Sequence, residues 1–294
     1  MPLVSVVIPT FNRSRKVTRA ISSVLGQSYP GAQVIVVDDG SADDTPAALE
    51  PFRDEIEYLR LPSNLGVSAA RNRGIRQATA PLIAFLDSDD YWLPEKLSVQ
   101  VAFFEAHPDI RICQTDEIWI RRGRRVNPRK KHLKPSGDIF ESSLRLCLVS
   151  PSAVMLRRSL LDEVGGFDES LPVCEDYDLW LRIACRYPVP LIREPLVIKE
   201  GGASDQLSAR YRGMDRFRIR AIEKLIRSGI LSGEQKRAAF EALALKCRIY
   251  GKGCLKRGKE AEARAYLTLP RRLQESLTAA GEPAPSDDSF VSPH

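Results

Sequence analysis

Along the first ninety residues, short β-branched apolar runs alternate with stretches whose apolar positions recur every three or four residues. A continuous apolar run or a period of two marks a strand, and a period of 3.6 marks a helix face. Residues 4–8 read as a buried strand. Val17, Ala20, Ile21, Val24 and Leu25 share one helix face, which stops near Gly26 ahead of Tyr29-Pro30-Gly31. A second buried strand, 34–37, runs into Asp38-Asp39-Gly40-Ser41, and Asp44-Thr45-Pro46 has the form of a helix cap and first turn. Residues 58–61 predict a third strand, 68–77 a helix, and 82–86 a fourth strand ending in Asp87-Ser88-Asp89-Asp90. This alternation is the pattern of parallel α/β units.

Further on, 94–105 read as helix, 111–120 and 153–156 as strands, and a helix begun near Asp176 continues to residue 184. From about residue 217 the pattern is all-helical. Phe217, Ala221, Ile222 and Leu225 form one apolar stripe, and Phe240, Leu243, Ala244 and Cys247 another. The Pro-, Ser- and Asp-rich stretch 281–294 predicts disorder. No internal repeat is apparent.

Composition narrows the class. With 294 residues, 43% hydrophobic and 28% charged, the chain fits one or two soluble globular domains and not a fibrous or disordered protein. No apolar run approaches the length of a membrane span. The start lacks the basic segment and cleavage site of a secretory signal, which predicts a cytoplasmic protein. Six scattered cysteines with no Cys-x-x-Cys pair predict reduced thiols. Three histidines leave a transition-metal centre almost without ligands, so any metal should be hard and oxygen-bound.

Charge is unevenly placed. The net +6 conceals residues 121–134, with eight Lys/Arg and no acid, and 216–259, with thirteen against three. A basic flank on an acidic body suits nucleic acid, anionic lipid or a phosphorylated ligand, and solvated helix faces account for it equally well. Interleaved aromatics and a docking motif for nucleic acid are missing, so no nucleic acid partner is expected.

Two strands deliver acidic clusters at their carboxyl ends, where open α/β sheets place ligands. Asp87 and Asp89, two residues apart between Ile83-Ala84-Phe85-Leu86 and Tyr91-Trp92-Leu93-Pro94, could share a divalent cation and a ligand hydroxyl. Adjacent buried acids cost several kcal/mol unless a cation compensates. A nucleoside diphosphate would complete such a site, because Mg²⁺ or Mn²⁺ usually takes one or two carboxylates together with substrate phosphates. Neither a P-loop nor a Gly-x-Gly-x-x-Gly turn after the first strand is present.

Five fragments in order carry a resemblance over residues 4–208: Val7-Ile8-Pro9-Thr10-Phe11-Asn12-Arg13; Val36-Val37-Asp38-Asp39-Gly40-Ser41 with Asp44-Thr45; Asn64-Leu65-Gly66-Val67-Ser68-Ala69-Ala70-Arg71-Asn72; Phe85-Leu86-Asp87-Ser88-Asp89-Asp90; and Glu175-Asp176-Tyr177-Asp178-Leu179-Trp180-Leu181-Arg182. Together they resemble the inverting family-2 glycosyltransferases of GT-A fold. The resemblance implies a Rossmann-like α/β mixed sheet flanked by helices, with a C-terminal helical extension. It divides the chain into a catalytic domain, 1–215, with a nucleotide half, 1–108, and an acceptor half, 109–215, followed by the helical extension 216–280 and the tail 281–294. Thr10 and Phe11 would bind the nucleotide, Phe11 against the base. Asp39 would accept from the base's ring N–H, Arg71 would hold the nucleotide end, Asp87 would face the ribose, and Asp89 would bind Mn²⁺ or Mg²⁺.

The resemblance makes Asp176 the general base, with Glu175 as fallback. An inverting transfer needs one carboxylate to take the acceptor's proton while its oxygen attacks the anomeric carbon from the face opposite the leaving diphosphate. The acidic first turn of a helix would look the same in sequence. Residues 165–169, Gly-Gly-Phe-Asp-Glu, could form a flexible acceptor-side loop, and Trp180 is either a sugar platform or core. In Gly201-Gly202-Ala203-Ser204-Asp205, Ala203 stands where the family often has a metal-assisting histidine. No Gln-x-x-Arg-Trp follows, which argues against a processive synthase. The expected activity is single-sugar transfer, UDP favoured, to a carbohydrate or lipid-linked acceptor in surface polysaccharide or glycolipid assembly. The segments 121–134 and 216–259 would touch anionic membrane peripherally. The alternative is a nucleotide- or sugar-binding protein that lost turnover, against which the retained Asp39, Asp87, Asp89 and Asp176 argue.

Overall fold

In the computed structural model, which describes residues 3–127, 132–202, 211 and 213–280, the β-branched runs of the amino-terminal half pair side by side in parallel. β1 (Val4–Thr10) is buried along its whole length and lies between β2 (Gln33–Asp38) and β4 (Leu82–Phe85), with β3 (Glu57–Arg60) outside β2. Strands with neighbours on both faces need no polar alternation, which is why these runs are apolar throughout. α1 (Ser14–Leu25) buries Val17, Ala20, Ile21 and Val24, the face its period predicts. α2 (Thr45–Leu49) follows Asp44 as expected, but it is the Asp43 carboxylate that accepts from the Thr45 N–H, at 3.0 Å. α3 (Val67–Gln77) has little apolar surface and approaches β1 through Gly74, where a Cβ would collide with Val7.

The sheet then changes direction. Its remaining strands are β5 (Tyr91–Trp92), β6 (Ile112–Arg121), β7 (Arg124–Val126), β8 (Val154–Arg157) and β9 (Leu191–Gly201). β8 lies antiparallel between β4 and β6, β9 runs parallel to β6, and β5 closes the edge antiparallel to β9. The order is β3-β2-β1-β4-β8-β6-β9-β5, with β7 hairpinned onto β6. β9 has no clean strand pattern: Arg193, Glu194 and Pro195 are exposed, and its pairing with β6 shifts register around Asp116. Flanking helices are α4 (Lys96–Ala106), α5 (Phe140–Arg145), α6 (Arg158–Val164) and α7 (Glu175–Ala184).

Three further helices follow: α8 (Asp215–Arg227), α9 (Gly233–Leu255), opened by a Ser232/Gln235 capping box, and α10 (Glu260–Ala279). They share one continuous apolar core with the sheet, running from Val7 and Phe85 through Tyr177 and Leu179 to Ile222, Phe240 and Leu273. A second core on the opposite face joins Val6, Ile21, Val36, Leu97 and Met155. Part of the basic charge of 216–259 is taken up by bonds within the protein, while Arg220, Arg227, Arg237, Arg248, Lys252, Lys256, Arg257 and Lys259 are exposed. Lys224 pairs with Asp168 and Asp178, Arg218 with Asp215, and Lys246 donates to the Arg145 carbonyl. The tail 281–294 and residues 128–131 of the first basic segment lie outside the described residues, as does Ala203.

Two readings left open by the sequence are decided here. Trp180 is only 2% exposed and meets the Phe167 ring edge-on, so it is core and not a sugar platform. Residues 165–169 are tied down: the Asn72 side chain bonds both the N–H and the carbonyl of Phe167, and Asp168 is paired to Lys224.

Candidate active site

The carboxyl ends of β1, β2 and β4 converge on a cleft of about 650 Å³, whose far wall is the start of α7. All seven residues singled out by the sequence line it: Thr10 and Phe11 past β1, Asp39 past β2, Arg71 from α3, Asp87 and Asp89 past β4, and Asp176 on α7. The turns that bring them there are backbone-controlled. Gly40 has a positive φ of 75° and lies against the Ser63 backbone, which a Cβ would approach to 2.7 Å. Gly66, at φ 97°, turns the chain into α3.

Asp38 and Asp39 divide the labour of their cluster. Asp38 is fully buried and accepts from the Ser41 N–H at 2.8 Å and from the Tyr58 hydroxyl at 2.8 Å, which knits β2 to β3. Asp39 accepts from the N–H groups of Leu65 (2.7 Å) and Gly66 (2.9 Å), one on each oxygen. Burial raises its pKa against those two bonds, and each oxygen keeps lone-pair capacity. The Thr10 hydroxyl, in a residue 3% exposed, has no protein partner, an orphaned polar atom on the cleft wall.

Arg71 joins α3 to the turn after β4 and to the start of α7. Its guanidinium reaches Asp87 at 2.6 Å and Glu175 at 2.7 Å and stacks over Phe167 at 5.0 Å. Burial opposes its charge, but the two carboxylates more than compensate and raise its pKa. Its two terminal nitrogens thus bond protein acids. Glu175 is itself buried, and burial, with Asp176 beside it, lifts its pKa to about 7 despite Arg71. Asp176 differs: it is half-buried, with Oδ1 accepting from the Tyr177 N–H at 2.7 Å and Oδ2 from the Cys147 thiol at 3.5 Å. The helix start behind it follows Cys174, which is held left-handed at φ 62°.

The acids after β4 are individually partnered. Asp89 forms an ion pair with Arg13 at 2.7 Å. Asp90 accepts from the Ser152 hydroxyl at 2.7 Å and the Glu200 N–H at 3.1 Å, and burial, reinforced by Asp87 and Asp89, raises its pKa well above the usual range. Lys199, from β9, donates to the Ser150 hydroxyl at 3.0 Å and lines the cleft; burial works against its charge, and Glu117, Asp90, Asp87 and Asp176 raise its pKa. Sequence reasoning gave no role to Arg13, although it ends the first quoted fragment. Lys199 carried no local signal, because it reaches the cleft only through β9 pairing.

Metal-binding capacity is conditional. Among the described residues, no group of three His, Cys, Asp or Glu side chains is arranged to hold a metal. Asp89, paired with Arg13 on the cleft wall, would with diphosphate oxygens and water suffice for Mg²⁺ or Mn²⁺.

A curled mixed sheet with its cleft at strand carboxyl ends defines a GT-A class nucleotide-sugar fold. Residues 5–165 match the Glycosyl transferase family 2 domain family, and the chain belongs to that family. The chain spans 35–58% of the length of the first curated relatives it matches, uncharacterized glycosyltransferases of Rickettsia. It is 33% identical over 182 residues, 62% of this chain and 69% of the relative, to UDP-Glc:alpha-D-GlcNAc-diphosphoundecaprenol beta-1,3-glucosyltransferase WfgD of Escherichia coli. S. aureus TarS in complex with UDP-GlcNAc superposes with a TM-score of 0.70 at 20% identity, covering 96% of this chain and 93% of that one. The mannosyltransferase PcManGT of Pyrobaculum calidifontis, in complex with GDP-Man and Mn²⁺, superposes with a TM-score of 0.66 at 19% identity, covering 96% and 76%. At these identities the two structures speak for the fold.

Proposed function

We propose that the protein transfers a single sugar from a nucleotide diphosphate-sugar, UDP favoured, to an acceptor hydroxyl with inversion. One observation carries this reading: a single cleft joins Asp39, Asp87 and Asp89 of the nucleotide half to Asp176, which lies 87 residues beyond Asp89 in the chain. Thr10, Phe11 and Asp39 receive the nucleoside, Asp87 the ribose, and Asp89 the divalent metal, whose contribution is to neutralise charge growing on the departing diphosphate. Asp176 removes the proton of the acceptor hydroxyl as that oxygen bonds to the anomeric carbon and the bond to the diphosphate breaks. The Tyr177 N–H and the Cys147 thiol hold the Asp176 carboxylate in place, and the Arg71 bond to Glu175 favours Asp176 over its neighbour as the base. Lys199 adds a fixed positive charge beside the acids.

The catalytic unit is 1–215, divided at 108 between donor and acceptor halves, with 216–280 as a helical extension. The WfgD likeness supports a lipid-linked acceptor in polysaccharide or glycolipid assembly. No helix among the described residues is long and apolar enough to cross a membrane. A cytoplasmic protein would meet such an acceptor at the membrane's inner face through its basic surfaces. Of these, the outer face of α9 is the best formed: Leu245, Ile249 and Leu255 are half exposed and interleave with exposed Arg248, Lys252 and Lys256.

The test is turnover of UDP-glucose and UDP-GlcNAc with a lipid-linked GlcNAc acceptor. The wild type should release UDP and give a β-linked product from the α-linked donor, whereas Asp176→Asn should bind UDP normally and release none above background. An α-linked product, or unimpaired turnover by Asp176→Asn, refutes the assignment.

A further inference from the structure

The hairpin that joins β6 to β7 is built against its own charge. Residues 121–125 read Arg-Arg-Gly-Arg-Arg, and Arg121 stands directly opposite Arg124 where the chain turns back. Like charges facing each other across an antiparallel pair destabilise it. The two turn residues, Arg122 and Gly123, both have positive φ, 52° and 72°, a backbone that Gly, Asn and Asp adopt readily and that a long side chain at the first position opposes. Among the described residues, none of the four guanidinium groups has a hydrogen-bond or ion-pair partner, and all four side chains are exposed.

These arginines nonetheless frame a concave surface. Arg121, Arg122 and Arg124 line an open pocket of about 570 Å³ together with Val126 and Gly202. Gly202, just past β9 and at φ 91°, lies under the Arg121 stem: a Cβ there would come within 2.9 Å of Arg121 Cγ, so the bare glycine makes the room the stem occupies. β9 also ties the pocket to the catalytic cleft. Lys199 and Glu200 line the cleft, and Arg121 pairs with Gly201, the next residue of the strand. At about 3.3 Å per residue, the hairpin begins about 7 Å beyond Lys199, on the cleft rim.

We propose that this hairpin is a phosphate-binding cradle whose ligand is the diphosphate of a lipid-linked sugar acceptor. This rests on the reading of the protein as a transferase that takes such an acceptor. Guanidinium groups bind phosphate oxygens in planar, paired contacts that a point charge does not offer. An anion seated between Arg121 and Arg124 converts their repulsion into charge-assisted bonds, which gives the opposed charges and the disfavoured Arg122 backbone a use. Position assigns the acceptor's phosphates and not the donor's, because the donor diphosphate belongs with Asp89 at the end of β4, inside the cleft. Chemistry assigns a discrete phosphate group and not a bilayer surface, because 121–125 has no apolar side chain to enter the acyl layer, in contrast to the outer face of α9. The acceptor diphosphate is untouched by the reaction; it anchors the acceptor while the sugar hydroxyl meets Asp176.

The experiment measures binding by calorimetry on the full chain, in the presence of UDP and Mg²⁺, with two ligands: α-GlcNAc diphosphate esterified with a short alkyl chain, and the alkyl GlcNAc glycoside without phosphate. Wild type should bind the diphosphate compound about tenfold or more tightly than Arg121→Gln/Arg124→Gln does, with no difference between the two proteins for the neutral glycoside. Arg248→Gln/Lys252→Gln on α9, which removes the same charge elsewhere, should bind both compounds as wild type does. Equal binding of the diphosphate compound by wild type and the hairpin variant, or an equal loss in the hairpin and α9 variants, overturns the cradle. It is also overturned if the hairpin variant keeps the diphosphate compound but no longer sediments with phosphatidylglycerol vesicles, since that outcome marks a headgroup contact. If the cradle binds as expected and wild type still transfers no sugar from UDP-glucose or UDP-GlcNAc to the diphosphate compound, the transfer reading falls and the site stands.

Discussion

Arg71→Met should weaken the protein by an amount that depends on pH in a way set by Glu175. The substitution keeps a long apolar stem over Phe167 and removes the only cation within bonding distance of Glu175 among the described residues, at 2.7 Å, together with the bond to Asp87 at 2.6 Å. Asp87 is more than a quarter exposed and can turn to water, but the Glu175 side chain is 7% exposed and cannot. Burial and the neighbouring Asp176 already lift Glu175 to about 7 with Arg71 in place. An unfolded glutamate titrates near ~4.3, so between that value and about 7 the native protein holds a proton the unfolded chain has released. Wild-type stability from this group therefore falls as pH rises through that window and levels off above it.

Without Arg71 the native carboxyl moves higher still, and the fall continues past 7. At pH 6, where Glu175 is largely protonated in both proteins, the loss reflects the missing charge-assisted bonds, about 2–3 kcal/mol. Above pH 7 the gap should widen by up to about 1.4 kcal/mol per pH unit, reaching about 4 kcal/mol at pH 8, within the range for orphaning a buried ion-pair partner. Urea unfolding at pH 6, 7 and 8 measures this directly. The double variant Arg71→Met/Glu175→Gln should remove the widening and leave the constant part. A loss under about 1 kcal/mol at pH 8, or one that does not change with pH, would refute the account of Arg71 as the buried link between α3 and α7.

Other consequences are equally measurable. Lys96 is fully buried, 3.8 Å over the Trp92 ring and bonded to Gln100 at 2.6 Å, and burial pulls its pKa down to about 7. Because the unfolded chain holds the proton up to about pH 10, this group makes stability rise between about 7 and 10, by at most about 1.4 kcal/mol per unit; Lys96→Met should flatten that rise in urea melts at pH 7 to 9, and an unchanged slope would contradict it. At the outer face of α9, reversing Arg248, Lys252 and Lys256 to Glu should cut binding to vesicles containing about one third phosphatidylglycerol by roughly 100-fold at low salt, at about 1 kcal/mol per basic residue. Sedimentation with such vesicles tests it, and equal sedimentation of both proteins would count against membrane contact through this face.

Much of this protein was legible one residue at a time. The parallel order around β1 followed from runs such as Val4–Thr10, buried on both faces, because burial on both sides imposes an apolar signature that survives without tertiary information. The acids at the ends of β2 and β4 were visible as breaks in those runs, and Asp176 as the acidic start of a periodic helix. β9 was not legible, because its strand character depends on pairing with β6 through a register shift and its first half carries exposed Arg193, Glu194 and Pro195. Trp180 was ambiguous because an aromatic on an amphipathic helix looks the same whether it faces a sugar or a core; only the packing of Phe167 against it decides.

What the sequence by itself determined is the set of acids and the strands that deliver them, since both are local: a turn at a strand end and a buried run leave marks in consecutive residues. Only the tertiary structure decided who neutralises whom. Arg71 meets Glu175 across 104 residues, Arg13 meets Asp89, and Lys199 faces acids more than a hundred positions away. Charge acts through space and not along the chain, so the pairing that sets which acid is locked and which is raised exists only once the sheet has folded.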